Sequence, residues 1–283
     1  MPIPFPIFHR CSLLFSCLTL CLLTGCARMG DRVDVAVSSE NVPEIEAILA
    51  DLVGNDTAVS TMKSSGVFKI ESPKLESRKK FRGRLVFERP DRLYVEGSKL
   101  AGAIVVFKMI CVGPEFLIEF PGEKEENFYA LEGTEFADVD FSVSPTDIVH
   151  EMFLPEHWAK IKPRSLRMIA YNEDETRVVL ELRQRWRLHR RLELQLVNPD
   201  SPRWVITRHV RYDSRGHELA VTELSKYNVI EGVMFPEGVD VFFPTEETRM
   251  SFTLKDIRLN ADMSSSTFDI QTRARELGLL EAP

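Results

Sequence analysis

Four of the chain's five cysteines stand at positions 11, 17, 21 and 26, and the fifth is Cys111. Thiols this close together can ligate a metal, cross-link, or carry an acyl group. The gaps from Cys17 to Cys21 and from Cys21 to Cys26 fall within the loose spacing of zinc sites. A zinc knuckle, however, sits in a polar turn and draws a second ligand pair from further along. Here the intervening residues are mostly Leu and Thr, and no second pair follows. A second metal-like grouping is "HEMFLPEHW", with His150, Glu151 and His157. Zinc proteases need His at i and i+4 on one helix face, and position 154 is Leu, so these residues read as the polar end of a short helix. No G-x-S-x-G elbow, P-loop or G-x-G-x-x-G is present, and the expectation is a chain without catalytic residues, metal or cofactor.

Cationic residues form the last chemical grouping: Arg183, Arg185 and Arg187, followed by His189, Arg190 and Arg191. In one strand, alternation puts the three arginines on one face, with Leu182 and Trp186 on the other. Such a row is either a solvated face balanced by neighbouring acids or a contact for anionic head groups or an acidic partner. Near an anionic surface each basic residue contributes about 1 kcal/mol.

The element around the first cysteines settles their chemistry. Arg10 supplies a charge, Cys11 to Leu23 an uncharged apolar run, and Thr24-Gly25 the small residues of a secretory signal. The run is short for a membrane span, which needs about 20 residues. Leu23-Thr24-Gly25-Cys26 resembles the bacterial lipobox, whose cysteine is acylated on sulfur and becomes the mature N-terminus. The resemblance implies a signal peptide over 1–25, lipid attachment at Cys26, a tether over 26–40 and a place in the bacterial cell envelope. Ala27 is not the Asp that retains many lipobox proteins at the inner membrane, which points to the outer membrane, facing the periplasm. A single myristoyl-length chain would hold only marginally, at about 0.8 kcal/mol per buried CH₂; lipobox proteins carry several chains.

The chain has 283 residues and a formal charge of −7, and loss of residues 1–25, which include Arg10, would leave 258 residues at −8. That length can bury one large core. The mild acidity argues against nucleic acid as a partner. Cys111, within "VVFKMICVG", is expected to be buried as a small hydrophobe.

Ile45, Ile48, Leu49 and Leu52 recur at i, i+3, i+4 and i+7, predicting a helix capped by Asn41 and stopped by Gly54. Short β-rich runs follow, broken by Pro and Gly. In "KKFRGRLVFER" the residues Phe81, Gly83, Leu85 and Phe87 alternate with charged ones except at Val86, the pattern of an antiparallel sheet wetted on one side. Ser144-Pro145 opens a second helix that puts Ile148, Val149, Met152 and Phe153 on one face. Strands resume from Ser165, making about ten or eleven in all. The fold class is mainly β with a few helices, one domain over 41–275 and a short tail over 276–283. So large an antiparallel sheet must curl, because strand twist accumulates.

The segment from Lys226 to Ile270 carries a more particular pattern: Tyr227, Gly232 to Pro236, Ile257 to Asn260, then Phe268 after a polar turn. It resembles the C-terminal half of the LolA/LolB-like lipoprotein-carrier superfamily, which also contains RseB-type periplasmic regulators. The resemblance implies a half-open barrel, a curved sheet with helices over its concave face around a cavity that receives acyl chains. On alternation, the inward set is Leu85, Phe87, Phe116, Ile118, Leu180, Leu182, Leu192 and Leu194, with Ile148, Met152 and Phe153 from the mid-chain helix as a lid. The same pattern describes an ordinary filled core. Two functions therefore stand side by side: an anchored lipoprotein that binds acyl chains of a lipid or lipoprotein, and an anchored protein-interaction module with a filled core.

Overall fold

The computed structural model describes residues 42–75, 78–100, 103–122, 127–131, 143–153, 158–172, 176–185, 187–198 and 200–281. The expected signal, Cys26, the tether and Asn41 lie outside these residues, as do His157 and Trp186.

Helix α1 (Ile45–Thr57) is followed by six strands, β1 (Thr61–Glu71), β2 (Lys79–Glu88), β3 (Arg92–Lys99), β4 (Ile104–Val112), β5 (Glu115–Glu119) and β6 (Phe128–Leu131). Helix α2 (Pro145–Phe153) precedes seven more, β7 (Leu166–Asn172), β8 (Arg177–Gln184), β9 (Arg187–Val197), β10 (Arg203–Tyr212), β11 (Glu218–Ile230), β12 (Val233–Phe243) and β13 (Thr248–Leu259). Helix α3 (Ile270–Glu276) ends the order. All thirteen strands join one sheet, in the order β6-β5-β4-β3-β2-β1-β13-β12-β11-β10-β9-β8-β7, with every neighbouring pair antiparallel. The sheet is not closed into a barrel: β6 and β7 are its two edges.

Two meanders thus meet at a seam between β1 and β13, and α2 lies in the connection from one edge to the other. Alternation sets the two faces. On the inner face, Met62, Phe87, Leu93, Cys111 and Phe116 line up across five strands, and Leu180 and Leu192 continue to His209, Thr222, Val241 and Met250. The apolar side chains among these, with those of α1 and α2, form one buried cluster. Full burial of each large apolar group contributes about 1.5–3 kcal/mol.

Val86, the exception to alternation in β2, belongs to the other side. With Tyr94, Ile110 and Leu117 it makes an outer-face row on which Phe268, Ile270 and Ala274 pack, and Leu277, Leu279 and Leu280 are partly buried there too. Both faces of the sheet are therefore covered in part.

Local differences from the sequence expectation have local causes. Helix α1 runs through Gly54 to Thr57, because its buried stripe of Ile48, Leu49 and Leu52 continues to hold it. Asp51 also fastens it to the start of β10, accepting from Arg203 Nη1 and from the Trp204 amide at 3.0 Å each. Ile230 pairs with Val233 across Glu231-Gly232, whose φ angles are +52° and +84°; a two-residue hairpin of this kind needs positive φ at its centre. Across β1, β2 and β3 the facing residues are Gly66, Gly83 and Gly97. A Cβ on Gly83 would lie 1.7 Å from the Glu96 carbonyl oxygen, so this row brings backbones together in a way no side chain permits.

Candidate functional site

Helix α2 starts with Pro145, whose ring suits the first helical position, and the Ile148 amide donates to the Ser144 carbonyl at 3.2 Å. Its apolar residues Ile148, Val149 and Met152 are buried in the inner cluster. Phe153 stacks on Phe87 with ring centroids 3.9 Å apart and planes 3° from parallel. The helix packs on β11 and β12 as well, so it spans the middle of the inner face.

Between α2 and the sheet lies a charged cluster. Glu151 is fully buried, and Arg190 is 1% exposed. The Glu151 Oε2 accepts from Arg190 Nη1 at 3.1 Å and from Thr222 Oγ1 at 3.3 Å. Arg211 Nε stands 2.7 Å from Glu151 Oε1, though its N–H is not aimed along that contact. Arg211 Nη2 donates to Asp147 Oδ1 at 2.5 Å. Asp147 and Glu151 are four residues apart, on one face of α2, and so meet the facing residues Arg190 of β9 and Arg211 of β10. Two carboxylates and two guanidinium groups balance.

His209, fully buried, completes the cluster, with Nδ1 also 3.4 Å from Glu151 Oε2. Its Nε2 is 3.2 Å from the Glu151 carbonyl oxygen and its Nδ1 is 3.0 Å from Arg190 Nη1. A carbonyl can only accept and a guanidinium can only donate, so the proton belongs on Nε2 and Nδ1 accepts. Both nitrogens are spent inside the protein. The cluster ties α2 to β9, β10 and β11.

Of the residues expected to line a cavity, Leu85, Phe87, Phe116, Ile118, Leu180, Leu182, Leu192 and Leu194 all sit in the inner cluster, none more than 2% exposed. Ile148 and Met152 are buried against them, and Phe153 is partly buried. The structure therefore brings the whole apolar set together, in close packing. Four of the open pockets on the described surface have volumes of about 450 to 710 Å³, and of the eight residues Leu85 borders one of these four.

The arginine row needs correction. β8 ends at Gln184, β9 begins at Arg187, and these two residues face each other. The chain reverses at Arg185, whose φ is +47°, so Arg183, Arg185 and Arg187 do not share one strand face. No Gly, Pro or Asn announces this turn. Arg183 is drawn to Glu181, at 2.7 Å, while Arg187 donates to the Ser214 carbonyl at 3.3 Å. Arg185 and Arg187 border a pocket of about 710 Å³ together with His189 and Tyr212.

Sequence reasoning placed Glu151 at the polar end of a helix and Arg190 in a cationic run, and missed their meeting. A signal existed: Arg190 has the parity of Leu192 and Leu194, so it must point inward and find a carboxylate. Tyr227, part of the carrier-like pattern, is partly buried against the inner cluster, its hydroxyl donating to the Ile206 carbonyl at 2.6 Å, and desolvation pushes its phenol pKa up.

No family profile matches this chain, and no curated protein sequence matches it. Solved structures do. The chain is similar in fold to a DUF1329 family protein from Desulfovibrio piger, with a TM-score of 0.52 and 14% identity over 82% of this chain and 99% of that one. It is also similar to the LolA superfamily protein NE2245 from Nitrosomonas europaea, with a TM-score of 0.47 and 12% identity over 82% of this chain and 100% of that one. At these identities the likeness concerns the fold.

Proposed function

We propose that this chain is a lipid-anchored envelope protein of carrier type, which takes acyl chains of a lipid or lipoprotein between the inner sheet face and α2 without covalent chemistry. Cys26 would hold it to a membrane, with the outer membrane facing the periplasm as the expected site. The observation that carries the reading is the fastening of α2. A helix that merely completed a core would be held as well by apolar contacts, since replacing a buried ion pair with packed hydrophobic groups is often neutral or stabilising. Here Asp147 and Glu151 tie it instead to Arg211 and Arg190 through polar contacts that can be exchanged for water when the helix moves. Moving α2 would open the apolar face of Leu180, Leu182, Leu192 and Leu194, and each methylene buried there contributes about 0.8 kcal/mol to acyl affinity.

Native mass spectrometry of the full chain, extracted in mild detergent, tests this. Lipid-sized adducts that increase in Glu151→Gln are expected; a chain free of adducts in both forms sinks the proposal. The close packing of the eight inner residues favours a second reading, an anchored interaction module whose core never opens. On that reading the adducts are absent, and a protein partner is recovered equally well with Glu151→Gln.

A further inference from the structure

The outer face carries a groove of about 680 Å³ between β1, β2, β13 and the Ser264–Phe268 turn that leads into α3. Its floor is Val86, Tyr94 and Ile110, and its lining holds five cations, Lys63, Arg84, Lys108, Arg258 and Arg273, against three carboxylates, Glu119, Asp256 and Asp269. The carboxylates are engaged. Glu119 is held by Arg273 and Lys108, Asp269 accepts from the Thr272 amide at 3.1 Å, and Asp256 accepts from Ser65 Oγ at 2.6 Å.

Arg84 pairs with Glu96 at 3.4 Å, so two of the five cations are left over. Lys63 and Arg258 face each other across the β1–β13 seam, on the same side of the sheet, and among the described residues neither has a carboxylate within ion-pair distance. Lys63 donates only to the Asp262 carbonyl. Beside them in the lining stand the hydroxyls of Ser264, Ser266 and Thr267. Adjacent like charges repel, so a pair kept side by side favours a bound anion. Guanidinium, ammonium and hydroxyl donors from three segments suit a tetrahedral oxyanion, which accepts from several directions, better than a planar carboxylate. The volume is that of a small-molecule site and exceeds a bare phosphate.

We infer that this groove binds a phosphorylated, hydroxyl-bearing small molecule or head group, its phosphate held by Lys63 and Arg258 and its body lying over Tyr94. The site lies on the sheet face opposite the proposed acyl site and does not depend on it. Calorimetry on the full chain in a neutral detergent at constant ionic strength tests it, with inorganic phosphate and glycerol 3-phosphate as soluble probes. A second arm uses mixed micelles of phosphatidylglycerol, with phosphatidylcholine micelles as the comparison. Saturable phosphate binding is expected, at least tenfold weaker in Arg258→Met and in Lys63→Met, and unchanged in Lys69→Met, which lies outside the groove on the same strand. Tighter binding of glycerol 3-phosphate than of the micelles assigns a soluble ligand; the reverse, dependent on Arg258, assigns a lipid head group. No saturable signal with any probe, or binding that Arg258→Met leaves intact while the variant remains folded by circular dichroism, overturns the inference.

Discussion

Glu151 of α2 and Arg190 of β9 stand 39 positions apart in the chain and meet at 3.1 Å with both side chains sealed from solvent. Neither could be buried without the other, since an unpaired charge in an apolar setting is far costlier than a paired one. The contact therefore fixes where a nine-residue helix sits on a thirteen-strand sheet.

Removing one partner should be felt strongly. Glu151→Ala is expected to lower unfolding free energy by about 3–5 kcal/mol, because Arg190 is then left buried without its carboxylate. Replacing both by Met should cost less than the sum of Glu151→Met and Arg190→Met by about 1 kcal/mol or more. Urea titration followed by circular dichroism gives all four values, and simple additivity would show that the two side chains are not coupled.

The glycine row makes a separate prediction. Gly83→Ala puts a Cβ into the Glu96 carbonyl of the next strand, so β2 and β3 must separate, and a loss of about 2–3 kcal/mol is expected. Gly54→Ala, with open space around the new methyl and a helical backbone, should instead stabilise by up to about 1 kcal/mol. Opposite signs in thermal melts are the test, and equal effects would refute the close approach.

Acid should loosen α3 first. Burial alone would raise the pKa of Glu119, but the hydrogen bonds and charges of Arg273 and Lys108 outweigh it and hold that carboxyl below the usual range. A carboxylate depressed in the folded state adds stability above its unfolded pKa, about 4.3, and that stability is lost as pH falls through the lower, folded value. Protection of the amides over residues 270–280, measured against their intrinsic exchange rates at each pH, should therefore fall below about pH 4, before the inner core opens. Arg273→Met should reduce the pH dependence of that protection, at a cost of about 1–2 kcal/mol to local stability; unchanged protection across pH 5 to 3 would contradict the pairing.

Cys111 offers a chemical probe of the core. It is fully buried, and desolvation pushes its thiol pKa far up, so thiolate is scarce in the native state. Peptide-resolved alkylation at about pH 8, near a free thiol's ordinary pKa, should leave Cys111 unlabelled in the native protein and label it once urea unfolds the sheet. Prompt native labelling would mean that β4 opens without global unfolding.

How much of this could be read beforehand depended on periodicity. The inner face was legible because Leu85 and Phe87, or Leu192 and Leu194, recur at the period of a strand, and α2 was legible from Pro145 and the face shared by Ile148 and Met152. What escaped were features created by meeting rather than by pattern. The hairpin at Arg185 interrupts a run with no turn residue in it. The second packed face was visible only as Val86, a single breach of alternation that α3 and its flanking leucines explain. The charged cluster depends on which strands lie under α2, and that follows from the pairing of β1 with β13, which no local signal announces.

That pairing also governs timing. Among the described strands, Thr61–Glu71 is the first to leave the ribosome, yet its partner on one side, Thr248–Leu259, is the last. Until it arrives, β1 presents a bare edge that can recruit a strand from another chain. Each meander can assemble from its own hairpins as it emerges, but the sheet becomes continuous only after almost the whole polypeptide has been delivered. Chains cut short before residue 248 would thus be left with an unsealed centre, open to proteolysis.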